Sequence, residues 1–144
     1  MRFSTKTRYG LRAMIDLAIH YKDKPVLVRE IAERQKISGK YLEQIMLSLK
    51  KAGLVESIAG ARGGYMLTKK PSEIKALHIV EVLEGALSPV PCADHGEICE
   101  EENTCPAREL WIKVKKSVKD ALNSVSLKDL SENKPKKKGV FYQI

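Results

Sequence analysis

The chain has 144 residues, with 26 Lys and Arg against 18 Asp and Glu and a net charge of +8. Its length suits one domain or a small module with an extension, and its hydrophobic fraction of 43% allows a packed core. The apolar runs are far shorter than the ~20 residues that cross a bilayer, and no signal-peptide core opens the chain. We therefore exclude a wholly disordered or membrane-spanning chain and expect a cytoplasmic protein.

The positive charge is concentrated in the first two-thirds of the chain. Residues 1–91 carry 16 basic and 9 acidic side chains, whereas residues 92–131 carry 6 basic and 8 acidic ones. A basic region of this size favours a polyanionic partner, most often nucleic acid, although a Lys-rich soluble surface has the same composition.

The region before residue 54 is predicted to form three helices. The first can be capped by Thr5 or Thr7, and the second covers residues 28–35. The third follows the N-cap residue Ser38 and stops at Gly53, so that the second and third helices make a helix-turn-helix. In the first helix the apolar spacing i, i+3, i+4, i+7 is set by Leu11, Met14, Ile15 and Ala18. The outward positions of the third helix are Gly39, Lys40, Tyr41, Glu43, Gln44 and Ser48.

A β-hairpin is predicted next, from two β-prone segments at residues 54–58 and 65–68. The segment between them, residues 59–64, contains three glycines and Arg62, and glycine permits the backbone of a tight hairpin tip. A helix-turn-helix followed directly by a hairpin is a winged helix. The predicted fold class is therefore mostly α with a small β-hairpin wing, which favours DNA binding over a helical bundle with a stray hairpin.

The rest of the chain is predicted to be helical around a cysteine-bearing loop. A helix over residues 74–83 ends at Gly85, and a long helix starts at Pro106. Ser126 caps a last turn over residues 127–130. The apolar stripe of the long helix is a candidate dimer contact, with packing on its own domain as the alternative. That stripe comprises Leu110, Trp111, Val114, Val118 and Leu122. The predicted units are a winged helix-turn-helix (1–85), the cysteine loop (86–105), the dimerisation helix with its last turn (106–130) and a basic, disordered tail (131–144).

The three cysteines are the chemically distinctive residues of the chain. Cys92, Cys99 and Cys105 follow the pattern C-x6-C-x5-C within an acidic segment, which is a poor place for buried thiols. Thiolates held close together suit zinc or an iron–sulfur cluster, and a redox-active thiol set is the third option. A fourth ligand could be His95, Glu109, another residue or water.

Several short motifs together resemble the Rrf2 family of bacterial winged-helix transcription regulators. They are Arg8-Tyr9-Gly10, Tyr41-Leu42-Glu43-Gln44, Ala52-Gly53-Leu54-Val55, Gly63-Gly64-Tyr65 and Val82-Leu83-Glu84-Gly85, followed by the three cysteines and Leu110-Trp111. The resemblance implies a homodimer that crosses its long C-terminal helices and binds pseudo-palindromic operators in double-stranded DNA. Members with three cysteines here bind an iron–sulfur cluster. Members without them respond to a partner enzyme of cysteine synthesis, so a regulatory protein partner is also expected as an alternative.

The resemblance also assigns roles to residues. Cys92, Cys99 and Cys105 would hold an iron–sulfur cluster, 2Fe–2S rather than 4Fe–4S, with Glu109 or His95 as fourth ligand. The chain departs from cluster-binding members in two ways, because its first cysteine gap is one residue longer and Arg108 stands where they have a histidine ligand. The expected DNA-binding residues are Lys6, Arg8, Tyr9, Ser38, Lys40, Tyr41, Glu43, Gln44, Arg62, Gly63, Gly64 and Tyr65.

The predicted function is a sequence-specific transcriptional regulator whose DNA binding is modulated by an iron–sulfur cluster. It would control cluster biogenesis or a related iron, sulfur or redox response. The alternatives are a zinc-stabilised or thiol-redox regulator and a cluster-independent regulator of cysteine metabolism. A thiol oxidoreductase is the competing enzyme hypothesis, and only the thiols themselves favour it.

Overall fold

The structure is a computed structural model that describes residues 1–21, 24–93 and 105–133, and within these ranges it contains six helices and one two-stranded sheet. In chain order the elements are α1 (Thr5–Ile19), α2 (Val28–Gln35), α3 (Gly39–Lys51), β1 (Val55–Ile58), β2 (Gly64–Leu67), a 3₁₀ turn (Pro71–Glu73), α4 (Ala76–Glu84), a second 3₁₀ turn (Pro91–Ala93), α5 (Arg108–Asn123) and α6 (Leu127–Glu132). The predicted fold class, mostly helical with a hairpin wing, is confirmed.

Three predicted helix starts are wrong by one to three residues. Helix α4 begins at Ala76 and not at residue 74, because the backbone of Ile74 is extended. Helix α1 is capped by Ser4, whose hydroxyl accepts the Thr7 N–H at 3.2 Å, and not by Thr5 or Thr7. Helix α5 begins at Arg108 and not at Pro106, because the Arg108 N–H bonds to the Cys105 carbonyl at 3.2 Å and closes a turn before the helix. Cys105 therefore lies outside the helix that it precedes.

The helix-turn-helix is closed by a left-handed residue. Lys36 at the end of α2 has a φ of 55°, and the next N–H, of Ile37, bonds back to the Ala32 carbonyl at 3.0 Å. This return turn satisfies a carbonyl at the end of the helix and buries Ile37 against the core. Ser38 then caps α3, as predicted. The turn at Lys36 and the cap at Ser38 together fix the residue at which α3 and its exposed face begin.

The wing is a short antiparallel hairpin that also pairs with the chain before α2. Val55 lies opposite Leu67 and Ile58 lies opposite Gly64. Beyond this register, Tyr65 exchanges two backbone hydrogen bonds with Val26, at 2.8 and 2.9 Å. The wing is therefore fixed to the helix-turn-helix by its base, while its tip remains exposed.

Helix α1 lies at the centre of the core, with a different face inward from the predicted one. Gly10, Ala13, Met14 and Leu17 are buried, whereas the predicted stripe of Leu11, Met14, Ile15 and Ala18 is only partly buried except at Met14. The reason is that α1 packs against several elements at once, including α4 and α6. A Cβ on Gly10 would lie 2.2 Å from a Leu83 methyl group, so glycine permits the close α1–α4 contact.

The chain returns to the core after α5. The Ala76 N–H bonds to the Val125 carbonyl at 2.9 Å, and the Leu127 N–H bonds to the Ile74 carbonyl at 2.8 Å. Leu127 is fully buried among core residues, and Ser126 and Asp129 cap α6 with reciprocal hydrogen bonds. The C-terminal end of α5 is thus anchored in the winged-helix core. Across the described ranges we find no helix with the length and hydropathy of a membrane span.

Candidate functional site

The outward face of α3 is polar and exposed, as predicted. Lys40, Glu43 and Gln44 are exposed, and Tyr41 is half-buried. The opposite face consists of fully buried apolar side chains, namely Leu42, Ile45, Met46 and Leu49. Because the inward face is held so firmly, the outward face is presented rigidly to solvent, which suits an element that enters a DNA groove.

One residue of this face escaped the sequence analysis. Leu47 lies among the polar side chains of α3 with 48% of its surface exposed. The spacing of the buried residues places Leu47 on the outward side of the helix, although its side chain is apolar.

Tyr9 and Tyr41 connect α1 to the recognition helix α3. Their rings meet edge to face with centroids 6.0 Å apart, and the Arg12 guanidinium lies 5.4 Å from the centre of the Tyr9 ring. Arg12 also donates to the Gln35 side chain at 3.2 Å, at the end of α2. Tyr9 was expected to contact phosphate, and the structure gives its ring the further role of orienting the recognition helix. Arg12 was not predicted.

The start of α1 carries exposed cations, and hydrogen bonds to Glu84 hold this end of the helix in place. Arg8 is exposed, and its guanidinium donates to the Thr5 hydroxyl at 3.0 Å, while Lys6 is partly exposed. Below them the Glu84 carboxylate accepts the Ser4 N–H at 3.0 Å and the Thr7 hydroxyl. The hydrogen bonds from Thr7 and then from Ser4 hold the pKa of Glu84 below its ordinary value, so this carboxylate stays ionised.

The two wing glycines serve the backbone of the hairpin. Gly63 is buried, and a Cβ there would lie 2.2 Å from the Ile58 carbonyl oxygen. Gly64 has a φ of +142°, and a Cβ would lie 2.4 Å from the Val26 carbonyl oxygen. Arg62 just before them is exposed, so the glycines let the hairpin close while the arginine points to solvent.

Tyr65 lies at the junction of the wing and α3. Burial, and then the nearby charge of Glu43, raise the pKa of Tyr65. Its phenol therefore keeps its proton at neutral pH and remains a hydrogen-bond donor suited to a phosphate oxygen.

A buried carboxylate that the sequence analysis missed joins α1 to α2. Asp16 is 1% exposed. Its carboxylate accepts hydrogen bonds from two nitrogens of Arg34, at 2.7 and 2.9 Å, and from the Gln35 amide at 2.9 Å. Burial raises the pKa of Asp16, but the bonds from Arg34 and Gln35 and the charges of Arg34 and His20 bring it below its ordinary value. No local pattern marks an aspartate in an apolar stripe as the partner of a residue 18 positions later.

The structure describes part of the cysteine site. Cys105 carries a free, half-exposed thiol just before α5, and the 3₁₀ turn Pro91–Ala93, which contains Cys92, packs on α5. The Lys115 ammonium donates to the Ala93 carbonyl at 3.3 Å. The Cys92 side chain, His95 and Cys99 lie outside the described residues. Glu109 is exposed, and among described residues no three His, Cys, Asp or Glu side chains are grouped as a metal site requires.

The apolar stripe of α5 is only partly covered by the described part of the chain. Among the described residues, α5 has no buried side chain, and Leu110 is 55% exposed. The other predicted contact residues, Trp111, Val114, Val118 and Leu122, are half-buried. Among the described residues α5 packs on α4 and on the Pro91–Ala93 turn, so its packing on its own domain is partial, and the dimer contact stays a prediction.

These observations define a winged-helix protein with an exposed recognition helix, a basic surface and a long helix with an open apolar stripe. Residues 3–133 match the Rrf2 family, whose description is iron-dependent transcriptional regulator, and the chain belongs to this family. Its members CymR and IscR are named as HTH-type transcriptional regulators, which is a class of DNA-binding proteins.

Individual members of the family are similar over nearly the whole chain. The HTH-type transcriptional regulator CymR of Bacillus subtilis is 45% identical over 131 residues, covering 91% of this chain and 90% of CymR. The structure of CymR, named as the global cysteine regulator, has a TM-score of 0.78 and covers 91% of this chain and 96% of its own.

Two IscR proteins are also similar to this chain. IscR of Pectobacterium atrosepticum is 37% identical over 134 residues, covering 93% of this chain and 81% of IscR. The structure of T. potens IscR has a TM-score of 0.72 and 42% identity, covering 90% of this chain and 85% of its own. These relatives are transcriptional regulators and not enzymes.

Proposed function

We propose that this Rrf2-family regulator is a homodimer that reads a pseudo-palindromic operator in double-stranded DNA, and that a cysteine-bound iron–sulfur cluster sets its affinity or site choice. The observation that carries the DNA-reading part is the rigid, exposed face of α3 flanked by cations of α1 and of the wing. This arrangement matches a recognition helix in the major groove with phosphate contacts on either side.

Base readout in this proposal belongs to the exposed carboxylate and amide of α3. Gln44 can pair with the N6 and N7 positions of adenine, and Glu43 can accept from the N4 amino group of cytosine. Lys40 and Tyr41 lie at the edge of this face and suit phosphate or base-edge contacts. Arg62 at the wing tip suits an adjacent narrow minor groove, where the potential attracts a guanidinium.

Phosphate contacts in this proposal come from α1 and from the start of α3. Lys6 and Arg8 supply charge, and the Tyr9 ring keeps α1 in register with α3. Ser38 caps α3 at the point where the helix would meet the backbone. Because a two-fold axis doubles each contact, the dimer would neutralise several phosphates at once.

The donor set fits an iron–sulfur cluster in its chemistry. Iron–sulfur clusters are held by thiolates. Cys105 supplies a free, half-exposed thiol before α5, and the backbone turn that contains Cys92 packs on the same helix. Cys92, Cys99 and Cys105 would hold the cluster, with Glu109 or His95 as fourth ligand and with 2Fe–2S as the expected type. Such a cluster supplies a centre that is reducible and sensitive to oxidants.

Helix α5 would connect the cysteine segment to the DNA-binding surface. One end of α5 follows Cys105, and the helix also holds the Pro91–Ala93 turn through Lys115. The other end of α5 is tied into the core by the bond between Val125 and Ala76. A change at the cysteines therefore acts on the helix whose open stripe would form the dimer, and hence on the spacing of the two recognition helices.

A second candidate is a regulator of cysteine metabolism that acts through a protein partner without a cluster. Two observations favour it: the 45% identity to CymR, and Arg108 at the position where cluster-binding members have a histidine. A zinc-stabilised or thiol-redox regulator would use the same cysteines. The visible spectrum and metal content of the purified protein separate these candidates.

The DNA-reading proposal is tested by selecting binding sites from a random duplex library and measuring affinity by fluorescence anisotropy. We expect a two-fold symmetric motif, and an affinity that falls with salt by about 0.9 logarithmic units per neutralised phosphate. Glu43→Ala should lose discrimination at one base pair of each half-site, by about 1–3 kcal/mol. Lys6→Ala is the control, because Lys6 is expected to contact phosphate and its loss should weaken all sequences alike. An affinity that does not change with salt concentration, or the selection of no motif, would contradict the proposal.

A further inference from the structure

The middle of the exposed face of α3 is occupied by an apolar side chain. Leu47 is 48% exposed, whereas the four other large apolar residues of the helix are fully buried. At ~100° per residue, its direction is close to the opposite of the buried side. Leu47 also follows Glu43 by four positions and Gln44 by three, so that these three side chains are neighbours on one surface.

The residues around Leu47 indicate a negatively charged binding partner that also carries an apolar group. Lys40 and Lys51 lie on the same exposed side of α3, and the helix carries a further exposed lysine, Lys50. Cations placed around an isolated leucine suit a negatively charged partner. In the major groove of DNA the apolar group that a side chain can contact is the C5-methyl of thymine.

We propose that Leu47 is a specificity-determining residue that contacts the C5-methyl group of one thymine in each operator half-site. The inference rests on the proposed DNA-reading function and deepens it. The thymine would lie next to the base pairs read by Glu43 and Gln44, because the three side chains share one surface. Leu47 would thus add an apolar contact to a face whose other contacts are hydrogen bonds.

The test removes one methyl group from the DNA rather than from the protein. In the selected operator, each thymine is replaced in turn by uracil, which differs by the C5-methyl alone. For the wild-type protein, we expect one position per half-site to lose affinity about fourfold, the effect of one buried methyl-sized group, and about fifteenfold when both half-sites are changed.

The protein variant completes a double-mutant cycle. Because Leu47→Ala changes both protomers, it should bind the thymine operator about fifteenfold more weakly than wild type does. The variant should not distinguish thymine from uracil at that position. The matched control, Lys40→Ala, should bind more weakly but keep the full sensitivity to the methyl group. Leu47 is exposed, so an unchanged free energy of unfolding is expected for the variant and is measured alongside.

The outcomes are distinct. If no thymine is sensitive to loss of its methyl group, or if Leu47→Ala keeps the wild-type sensitivity, the inference is overturned while the DNA-reading function stands. A change in oligomeric state of Leu47→Ala, with unchanged methyl sensitivity, would assign Leu47 to a contact with a second copy and would also overturn it. If the wild-type chain selects no motif at all, the proposed function fails and this inference fails with it.

Discussion

Gly64 shows how a single backbone position can hold the wing in place. Its φ of +142° and the 2.4 Å approach to the Val26 carbonyl leave no room for a side chain. We expect Gly64→Ala to lower the free energy of unfolding by about 1–3 kcal/mol, because the backbone would be strained and the bridge to Val26 would be lost. Gly39→Ala is the control, because a Cβ there meets nothing within 4 Å. Urea denaturation of both variants checks this, and equal stabilities would contradict the assigned role.

Asp16 is the residue whose ionisation should matter most for the fold. Its pKa is lowered in the folded state, so its contribution to stability is present above the unfolded pKa of ~3.9 and is lost as pH falls through the lower, folded value. Asp16→Asn should therefore destabilise the protein at pH 7, by about 2–4 kcal/mol, because it breaks a buried ion pair.

The effect of Asp16→Asn should begin to shrink below about pH 4, where the carboxyl of the unfolded wild-type chain takes up a proton, and should keep shrinking down to the lower pKa of the folded state. The control is Asp120→Asn, which removes an exposed pair with Lys116 and should change stability by less than about 1 kcal/mol. Unfolding measured at pH 7 and at pH 3 compares the two. A destabilisation by Asp16→Asn that is the same at both pH values would show that charge is not what Asp16 contributes.

At the scale of elements, α6 is part of the winged-helix core although it comes last in the chain. Leu127 is fully buried, and truncating such a leucine costs about 2–5 kcal/mol. We therefore expect Leu127→Ala to be strongly destabilising, and Leu47→Ala, which truncates an exposed leucine, to change stability by less than about 0.5 kcal/mol. Thermal unfolding of both variants decides this. If Leu127→Ala were as stable as wild type, α6 would not be a core element.

The sequence predicted elements well where the signal is local. The range of α2, the Ser38 cap and the end of α4 at Gly85 all follow from periodicity and capping residues, and all three are confirmed. The inward face of α1 and the burial of Leu127 were not predicted. Both depend on contacts between α1 and elements far along the chain, which local periodicity does not encode.

The candidate site was predicted in part for the same reason. The polar face of α3 follows from helical spacing alone. The edge-to-face contact between Tyr9 and Tyr41, and the pairing of Asp16 with Arg34, depend on how two helices meet in space. The apolar stripe of α5 could be predicted as a pattern, but only the structure shows that the described part of the chain leaves Leu110 exposed and the rest of the stripe half-buried.

At the scale of the whole molecule, α5 links the two parts of the proposed function. It begins just after Cys105, carries the open apolar stripe, and ends at a backbone bond into the core at Ala76. From there α4 leads to Glu84, which accepts hydrogen bonds from the start of α1. A change at the cysteine segment thus has a continuous path of packed elements to the DNA-binding surface.

In the proposed function the cysteines set DNA binding without being needed for the fold. The variants Cys92→Ala, Cys99→Ala and Cys105→Ala each remove one thiolate and should give colourless, iron-free protein. They should stay folded and dimeric, since the hydrophobic core cluster of the described residues is formed by the winged helix and Leu127 of α6. Ser117→Ala, an exposed change on α5, is the control and should behave as wild type.

The most direct measurement compares the operator affinity of the brown wild-type protein with that of the three cysteine variants, by fluorescence anisotropy under one salt condition. All three variants should differ from wild type in affinity or in preferred operator, and by the same amount, because each removes the same cluster. If the variants keep wild-type colour and iron content, or if they lose both and bind the operator as wild type does, the cysteines do not control DNA binding.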